Sequence, residues 1–393
     1  MSRPLRVVVC GTIFGQVYLE AFRRPDPRLE LAGVLGRGSE RSRQCAETFG
    51  VPLFTSVDQL PDDVEAACVV IRSGLLGGRG VELATRLMER GISVIQEHPL
   101  HHDELAACLR VARRQRVVYE LNSFYPNLAP VRRFLGATAA LVKKQRLLYI
   151  DMACGFQVAY ALLDIVGRAL GGSLRRFSIA GVSAASAPAA GDVASQPYRV
   201  LQGSISNVPF TLRIQNQLDP SDPDNYAHLM HRITLGTEGG NLTLVNTHGP
   251  LYWSPRPHFP REVRDQDGDL HFDGGTTLGD LPRCHGGVPS AAPIGPPDAP
   301  SFADVFAELW PEGVRNALLD LREGIRTGRD PLRRGQYHLT LCRLWNDITE
   351  RLGPPELVHA GGDPSFLSQA DLAEIRAAAS AAEVPPDAAA DAA

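Results

Sequence analysis

The sequence predicts an α/β protein in two parts. The first, residues 1–125, reads as a doubly wound parallel sheet. The second, 126–384, reads as an α+β domain on a mostly antiparallel open sheet, and 385–393 as a disordered tail. Three observations predict this. Short, β-branched apolar runs alternate with helix-length segments through the first part, the pattern of βαβ units. Longer strands of alternating character follow it. The 393 residues, 44% of them hydrophobic, exceed what one small core holds.

The elements justify the first part in order. Leu5 to Cys10 is a buried strand, Gly11 to Gly15 a turn, and Gln16 to Arg24 a helix. Leu29 to Leu35 is the second strand and Glu40 to Phe49 the second helix. Ala66 to Ile71, Ser93 to Gln96 and Val117 to Leu121 continue the sheet. Val81 to Arg90 and Asp103 to Gln115 are the helices between them, with Asp103 as an N-cap.

In the second part Leu147 to Asp151, Tyr198 to Ser204, Pro209 to Gln217, His231 to Gly236 and Asn241 to Asn246 read as strands. Glu238-Gly239-Gly240 turns between the last two. Val158 to Leu170, Gly313 to Gly328 and Tyr337 to Leu352 read as helices. Two stretches are irregular: Ala184 to Gln196 as a surface loop, and the Gly/Pro-rich Pro282 to Pro300 as a surface loop or a lid.

Composition excludes several classes. A net charge of −4 provides no basic field for nucleic acid. No apolar stretch has the length of a membrane span, and the start lacks the apolar core and cleavage site of a signal peptide, so a cytoplasmic location is expected. The seven cysteines are scattered without a CxxC pair, which reads as free buried thiols and no metal site; Cys284-His285 reads as structural or incidental.

The turn Gly11-Thr12-Ile13-Phe14-Gly15 joins a buried strand to a helix. Glycine there lets a dinucleotide pyrophosphate approach the helix N-terminus, so the first part is a Rossmann domain. The spacing lacks the middle glycine of GxGxxG. An NAD site carries an acidic residue about 20 residues on. Here the second strand runs into Gly36-Arg37-Gly38-Ser39-Glu40-Arg41-Ser42. Arg37, Arg41, Ser39 and Ser42 suit a 2′-phosphate, so NADPH/NADP is the expected cofactor; Glu40 is the one residue against it.

Ligands of a parallel sheet bind beyond the C-terminal strand ends. That crest holds Arg72-Ser73, Glu97-His98 and Asn122, so Ser73, Glu97 and Asn122 join Gly11, Thr12, Phe14 and Gly15 as candidate cofactor contacts. Reducing C=O or C=N requires a proton on the heteroatom as hydride reaches carbon. His98 and Tyr125 are the candidate proton donors. Each has an alternative: a strand-end cap for His98, a packing aromatic for Tyr125.

The order VCGTIFGQVYL, GRGSERSR, QEHPLH and NSFYP resembles the thiazolinyl imine reductases of siderophore assembly, in the superfamily of glucose-fructose oxidoreductase and inositol dehydrogenase. GFQVAYALLDIVGRALGG, LDPSDPDNYAHLMHRITLG and GPLYWS extend the resemblance into the second part. The resemblance implies NADPH-dependent reduction of a thiazoline to a thiazolidine. The substrate would be a thioester on the carrier domain of a nonribosomal peptide synthetase, and the products siderophores of the pyochelin or yersiniabactin type. It implies that His98 and Tyr125 match proton-donor positions, and that Gly11, Phe14, Gly15, Arg37, Ser39 and Arg41 match cofactor positions. Superfamily analogy implies a homodimer through the second sheet. Two departures stand out. Sugar dehydrogenases of this fold carry Glu-Lys-Pro where this chain has Glu97-His98-Pro99, and a His three residues before the Asp, where Asp164 has Ala161. Both suit imine reduction over alcohol oxidation; the alternatives are an NADP-dependent sugar or cyclitol dehydrogenase of the same fold and a non-catalytic NADP-binding partner of the synthetase. Tyr160 and Asp164 are candidate substrate-pocket residues, with helix packing as the other reading of Tyr160.

Overall fold

The computed structural model describes residues 3–71, 78–172, 174, 176–182, 197–222, 225–257, 288–330, 332–359 and 365–382. The first sheet is built from β1 (Leu5–Cys10), β2 (Leu29–Leu35), β3 (Leu53–Phe54), β4 (Ala66–Val69), β5 (Ser93–Glu97) and β6 (Tyr119–Asn122). Its order is β3-β2-β1-β4-β5-β6, all parallel, with the reversal of winding at β1/β4. Helices α1 (Gly15–Glu20), α2 (Glu40–Phe49), α3 (Gly80–Glu89) and α4 (His102–Gln115) connect the strands. Val7, Val8, Val9, Ala66, Ala67 and Cys68 are fully buried, as a sheet covered on both faces requires.

Helix α2 shows how local chemistry sets the boundaries. Ser39 caps its N-terminus and Gly50, left-handed, ends it. At α4 the cap is His101, two residues before the expected Asp103. The His101 ring accepts from the Asp103 N–H, and Glu104 accepts from the His101 N–H at 3.0 Å. A ring nitrogen does here the work of the carboxylate.

The chain then crosses by α5 (Ala129–Leu141) into the second sheet, built from β7 (Leu147–Gly155), β8 (Phe177–Val182), β9 (Tyr198–Ile205), β10 (Val208–Gln215), β12 (His231–Thr237), β13 (Gly240–Leu244), β14 (Leu251–Pro255) and β15 (Ala292–Pro293). The order is β15-β14-β13-β12-β7-β10-β9-β8; only β7 and β10 run parallel. Helix α6 (Ala159–Ala169) follows β7. The strand expected over Pro209 to Gln217 breaks at Asn216, whose side chain donates to the Pro354 carbonyl at 3.3 Å; β11 (Gln217–Leu218) then pairs with β16 (Glu356–Leu357). Helix α5, strands β8 and β14, and a last helix α10 (Gln369–Ala382) were not anticipated. Pro130 in the first turn of α5 is compatible with a helix start, and it obscures the apolar period that follows.

Helices α7 (Phe302–Asp304), α8 (Trp310–Arg326) and α9 (Gly335–Leu352) return to the first sheet's flank: α8 lies on α1, and α9 lies on α4 and α6. Arg315 donates to the Ala21 carbonyl at 3.1 Å, and Arg329 bridges Glu120 and Asp320, each at 3.0 Å. The two parts of the chain are thereby locked through buried charge.

Six cysteines lie among the described residues, all buried and unpaired. Cys284-His285, Arg72 and Ser73, 184–196, 282–287 and the tail 385–393 lie outside the described residues. Of the Gly/Pro-rich stretch, 288–300 is described and adds β15 to the sheet edge. No described helix is long and apolar enough to cross a membrane.

Candidate active site

The crest above the first sheet is set by register. Gly11 ends β1 with φ +97°; a Cβ there would lie 2.5 Å from the Val70 carbonyl oxygen, so only glycine permits this turn. Gly15 opens α1, and Thr12 is buried with its carbonyl accepting from the Gln16 amide at 3.0 Å. At the end of β2, Arg37 and Arg41 are exposed and make no ion pair among the described residues. Glu40, the residue expected to speak against a 2′-phosphate, is exposed and pairs with Arg43 at 3.2 Å. Ser39 and Ser42 are a different matter. The Ser42 hydroxyl donates to the Ser39 carbonyl at 2.7 Å and the residue is 1% exposed, while the Ser39 hydroxyl accepts from the Ser42 N–H. Ser42, expected at the phosphate, is therefore a helix-start residue. The glycine turn fits the pyrophosphate of a dinucleotide, and beside it the two guanidinium groups have no ion-pair partner among the described residues.

At the other end of the crest, Glu97 and Asn122 are register partners on β5 and β6. Tyr18, on α1, donates to the Glu97 carboxylate and accepts from the Asn122 amide at 2.6 Å. Burial first, then the adjacent Glu97 charge, hold the Tyr18 hydroxyl well above its ordinary pKa, so it stays a donor. His98 Nδ1 lies 2.9 Å from Glu97 Oε1 and 3.2 Å from the Asn122 carbonyl oxygen. Both neighbours are acceptors, so the proton sits on Nδ1. The ring stacks on Tyr160 at 5.1 Å, and Nε2 makes no hydrogen bond among the described residues. A neutral His98 thus offers Nε2 as an acceptor, and donates through it only when the ring carries both protons.

Tyr125 is delivered by an unusual turn. Phe124 has φ 65° and ψ −64°, and the Tyr125 N–H donates to the Ser123 carbonyl at 2.8 Å: a γ-turn with positive φ. For a non-glycine residue this costs about 1–3 kcal/mol. The surroundings hold it. Asn122 Oδ1 accepts from the Phe124 N–H at 3.1 Å and the Asn127 amide at 3.0 Å. The Ser123 hydroxyl donates to Asp164. The Tyr125 ring then meets His231 edge-on at 4.9 Å. His231 is fully buried between Thr247 and the Val158 carbonyl, and burial pushes its pKa down to about 3, so it is a neutral wall.

Asp164 does not line an open pocket. It is 0% exposed, and its carboxylate takes Arg168 at 2.9 and 3.1 Å, the Tyr337 hydroxyl at 2.6 Å, and Ser123. Burial would raise its pKa, but the Arg168 guanidinium and these hydrogen bonds outweigh burial and hold it below the ordinary carboxylate range. Tyr160 is 3% exposed and its hydroxyl lies 3.6 Å from Cys342 Sγ, so it meets the crest only through its ring against His98. Sequence reasoning missed Tyr18, Ser123, Arg168 and His231, whose roles come from chain segments far apart.

A parallel sheet with a glycine turn at its winding reversal, and proton-bearing side chains on its crest, define an NAD(P)-dependent oxidoreductase. Comparison with known families agrees. Residues 5–123 match the oxidoreductase family with NAD-binding Rossmann fold (GFO_IDH_MocA), and residues 145–254 match "Thiazolinyl imine reductase Irp3-like, C-terminal". The chain therefore carries a Rossmann domain of the Gfo/Idh/MocA oxidoreductase type, followed by a second domain of the thiazolinyl imine reductase type. No curated protein matches it. Among solved structures, UDP-N-acetylglucosamine 3-dehydrogenase GnnA from Acidithiobacillus ferrooxidans is similar at 14% identity and TM-score 0.56, over 89% of this chain and 97% of that one. KijD10, a 3-ketoreductase from Actinomadura kijaniata in complex with NADP and TDP-benzene, is similar at 13% identity and TM-score 0.58, over 90% and 99%. A dehydrogenase from Chromobacterium violaceum is similar at 15% and 0.60, over 88% and 95%. These likenesses show the fold.

Proposed function

We propose that this protein reduces the C=N bond of a thiazoline to a thiazolidine with NADPH, on a siderophore intermediate tethered to the carrier domain of a nonribosomal peptide synthetase. One observation carries the reading. The stretch matched to the thiazolinyl imine reductase second domain contains Tyr160 and His231, the rings packed against His98 and Tyr125.

A neutral thiazoline nitrogen is a weak base beside a poorly electrophilic carbon. When bound, NADPH supplies the hydride. The Tyr125 hydroxyl donates its proton to the ring nitrogen, which builds positive character at the adjacent carbon and leaves an N–H in the product. His98, with Nδ1–H fixed by Glu97, presents Nε2 on the same crest as an acceptor, and returns a proton to Tyr125 when Nε2 also carries one. Tyr18 and Asn122 hold Glu97 in place. Arg37 and Arg41 hold the 2′-phosphate, which favours NADPH over NADH.

The test is NADPH consumption, followed at the nicotinamide band, with a carrier-bound thiazolinyl thioester. Turnover that falls about 10²- to 10⁴-fold in Tyr125→Phe is the expected result. Absence of turnover with every thiazolinyl thioester, or full activity of Tyr125→Phe, refutes the assignment.

A further inference from the structure

Two consecutive residues of the second domain hold two of the rings packed on Tyr125. Thr247 and His248 lie between β13 and β14, in a loop turned by Gly249, whose N–H donates to the Asn246 carbonyl at 2.9 Å. Thr247 holds the first ring. His231 donates through Nε2 to the Val158 carbonyl at 3.0 Å, so its Nδ1 accepts from the Thr247 hydroxyl at 2.9 Å. Both nitrogens of that ring are bonded within the protein. His248 holds the second ring. Trp310 opens α8 after a wide, π-helical turn at Val305–Leu309, and packs on Tyr125 at 6.5 Å and Phe124 at 5.3 Å. Its Nε1–H donates to His248 Nε2 at 3.2 Å.

That bond fixes the tautomer of His248. An indole nitrogen can only donate, so His248 Nε2 accepts, and the neutral ring carries its proton on Nδ1. Burial keeps the ring neutral by holding its pKa down at about 4. His248 is 4% exposed, and its Nδ1–H meets no acceptor among the described residues. A buried donor left without an acceptor costs about 1–3 kcal/mol, so this N–H calls for an acceptor that a ligand brings. The surroundings say which kind. The ring lies against Trp310 at 6.3 Å and Phe302 at 6.2 Å, with no ion pair among the described residues. A neutral N–H among aromatic rings suits an uncharged carbonyl oxygen. A carboxylate or phosphate would lose its hydration there with no cation in return. The substrate proposed above carries such an oxygen beside the reacting ring, in the thioester that tethers it.

We infer that His248 Nδ1–H binds the acyl carbonyl oxygen of the substrate and so orients the ring whose C=N faces Tyr125. This rests on the imine reductase reading, because that reading puts the reacting ring at Tyr125. The carboxamide oxygen of the nicotinamide is the competing acceptor.

Two variants separate the two nitrogens of the ring. His248→Gln sets a side-chain oxygen near the place of Nε2, which keeps an acceptor for Trp310 and loses the Nδ1 donor. His248→Asn sets a side-chain amide near the place of Nδ1 and keeps the donor. The full-length proteins are given NADPH and either the N-acetylcysteamine thioester of 2-methylthiazoline carboxylate or 2-methylthiazoline itself, which has no carbonyl. The ratio of kcat/KM, thioester over 2-methylthiazoline, is expected to fall roughly tenfold in His248→Gln, the worth of one hydrogen bond. In His248→Asn it should stay within about threefold of the unaltered protein. An unchanged ratio in His248→Gln overturns the assignment, and a weaker Kd for NADPH in that variant would then give the donor to the nicotinamide carboxamide. An equal fall in both variants overturns it too, since the ring would then act by shape alone. Titration of the NADP-loaded proteins with the thioester, read by tryptophan quenching, separates this proposal from the previous one. If neither ring is reduced but His248→Gln binds the thioester roughly tenfold more weakly, the carbonyl site stands and the reductase assignment falls. Equal binding by His248→Gln and the unaltered protein sinks the carbonyl site whatever the turnover.

Discussion

At the β2 end of the first sheet's crest, Arg37 and Arg41 stand exposed with no counter-ion among the described residues. At the β5–β6 end, Glu97, His98, Asn122 and Ser123 are tied into one buried network that reaches Tyr18 on one side and Asp164 on the other. In the reading proposed above, the first arrangement recognises charge: long side chains stand in water where a ligand would supply the anion. The second fixes position: polar atoms find protein partners before any ligand arrives, because an unpaired buried polar group is costly. The strained backbone at Phe124 belongs to the second kind, held by Asn122 and Ser123.

The largest effect should come from breaking the anchor of the buried end. Asp164→Ala leaves the Arg168 guanidinium, 28% exposed, without its carboxylate, and frees Ser123. Removing one partner of a buried pair costs about 3–5 kcal/mol. Urea denaturation should show a loss of that order. Asp164→Asn keeps the shape and an acceptor for Ser123, so it should lose less stability. A loss below about 1 kcal/mol for Asp164→Ala would mean the network is surface-like in energy, and the contrast between the two ends would fail.

At the exposed end, Arg37→Ala/Arg41→Ala should leave stability almost unmoved and raise the KM for NADPH by roughly a hundredfold, two charge-assisted contacts at about 1.4 kcal/mol each. The KM for NADH should change far less. Equal losses for the two cofactors would show that these arginines do not read the 2′-phosphate.

Acid should separate the ends again. Burial holds His231 at about 3, and His248 and His338 at about 4, against an ordinary 6.5. A depressed histidine pKa favours the folded state fully above about 6.5, and the benefit is lost as pH falls toward the folded values. Asp164, also depressed, adds the same sign of effect below its ordinary pKa of 3.8. The urea midpoint should therefore fall steadily from pH 7 to pH 4.5. A rise over that range would contradict buried neutral imidazoles.

The same contrast explains what the sequence disclosed. Leu29–Leu35 and Glu40–Phe49 were legible to the residue, because a buried parallel strand is a run of apolar residues and α2 has a serine cap and a glycine stop. Arg37 and Arg41 were legible as cofactor candidates because they act through local charge next to a strand end. His98 and Tyr125 were legible as positions, since any residue after β5 or β6 lies on the crest. Their partners were not. Tyr18 lies 79 residues from Glu97, and Ser123 lies 41 from Asp164; a hydroxyl on a helix says nothing about a carboxylate that distant. Asp164 looked available for substrate because only the fold shows Arg168 and Tyr337 closing on it. Trp310 and the wide turn before it were equally hidden, since the sequence gives no sign of where α8 returns.

The smallest effect is the sharpest check on where the boundary between the two ends runs. Ser42 sits in the arginine segment by sequence but behaves like the buried end: its hydroxyl is spent on the Ser39 carbonyl, and its Cβ fills the space beside Gly36. Ser42→Ala keeps that Cβ and the N–H that Ser39 caps, and removes one buried hydrogen bond whose acceptor already stands at a helix start and also accepts from the Arg43 N–H at 3.0 Å. The Ser39 carbonyl is therefore not orphaned, and the cost should be about 1 kcal/mol or less. NADPH affinity should stay within a factor of about two, because no hydroxyl is lost from the phosphate. Ser39→Ala removes the cap itself and should cost about 1 kcal/mol. A tenfold rise in the NADPH KM for Ser42→Ala would place its hydroxyl on the ligand after all, and would extend the charge-reading end of the crest into the helix that the structure assigns to packing.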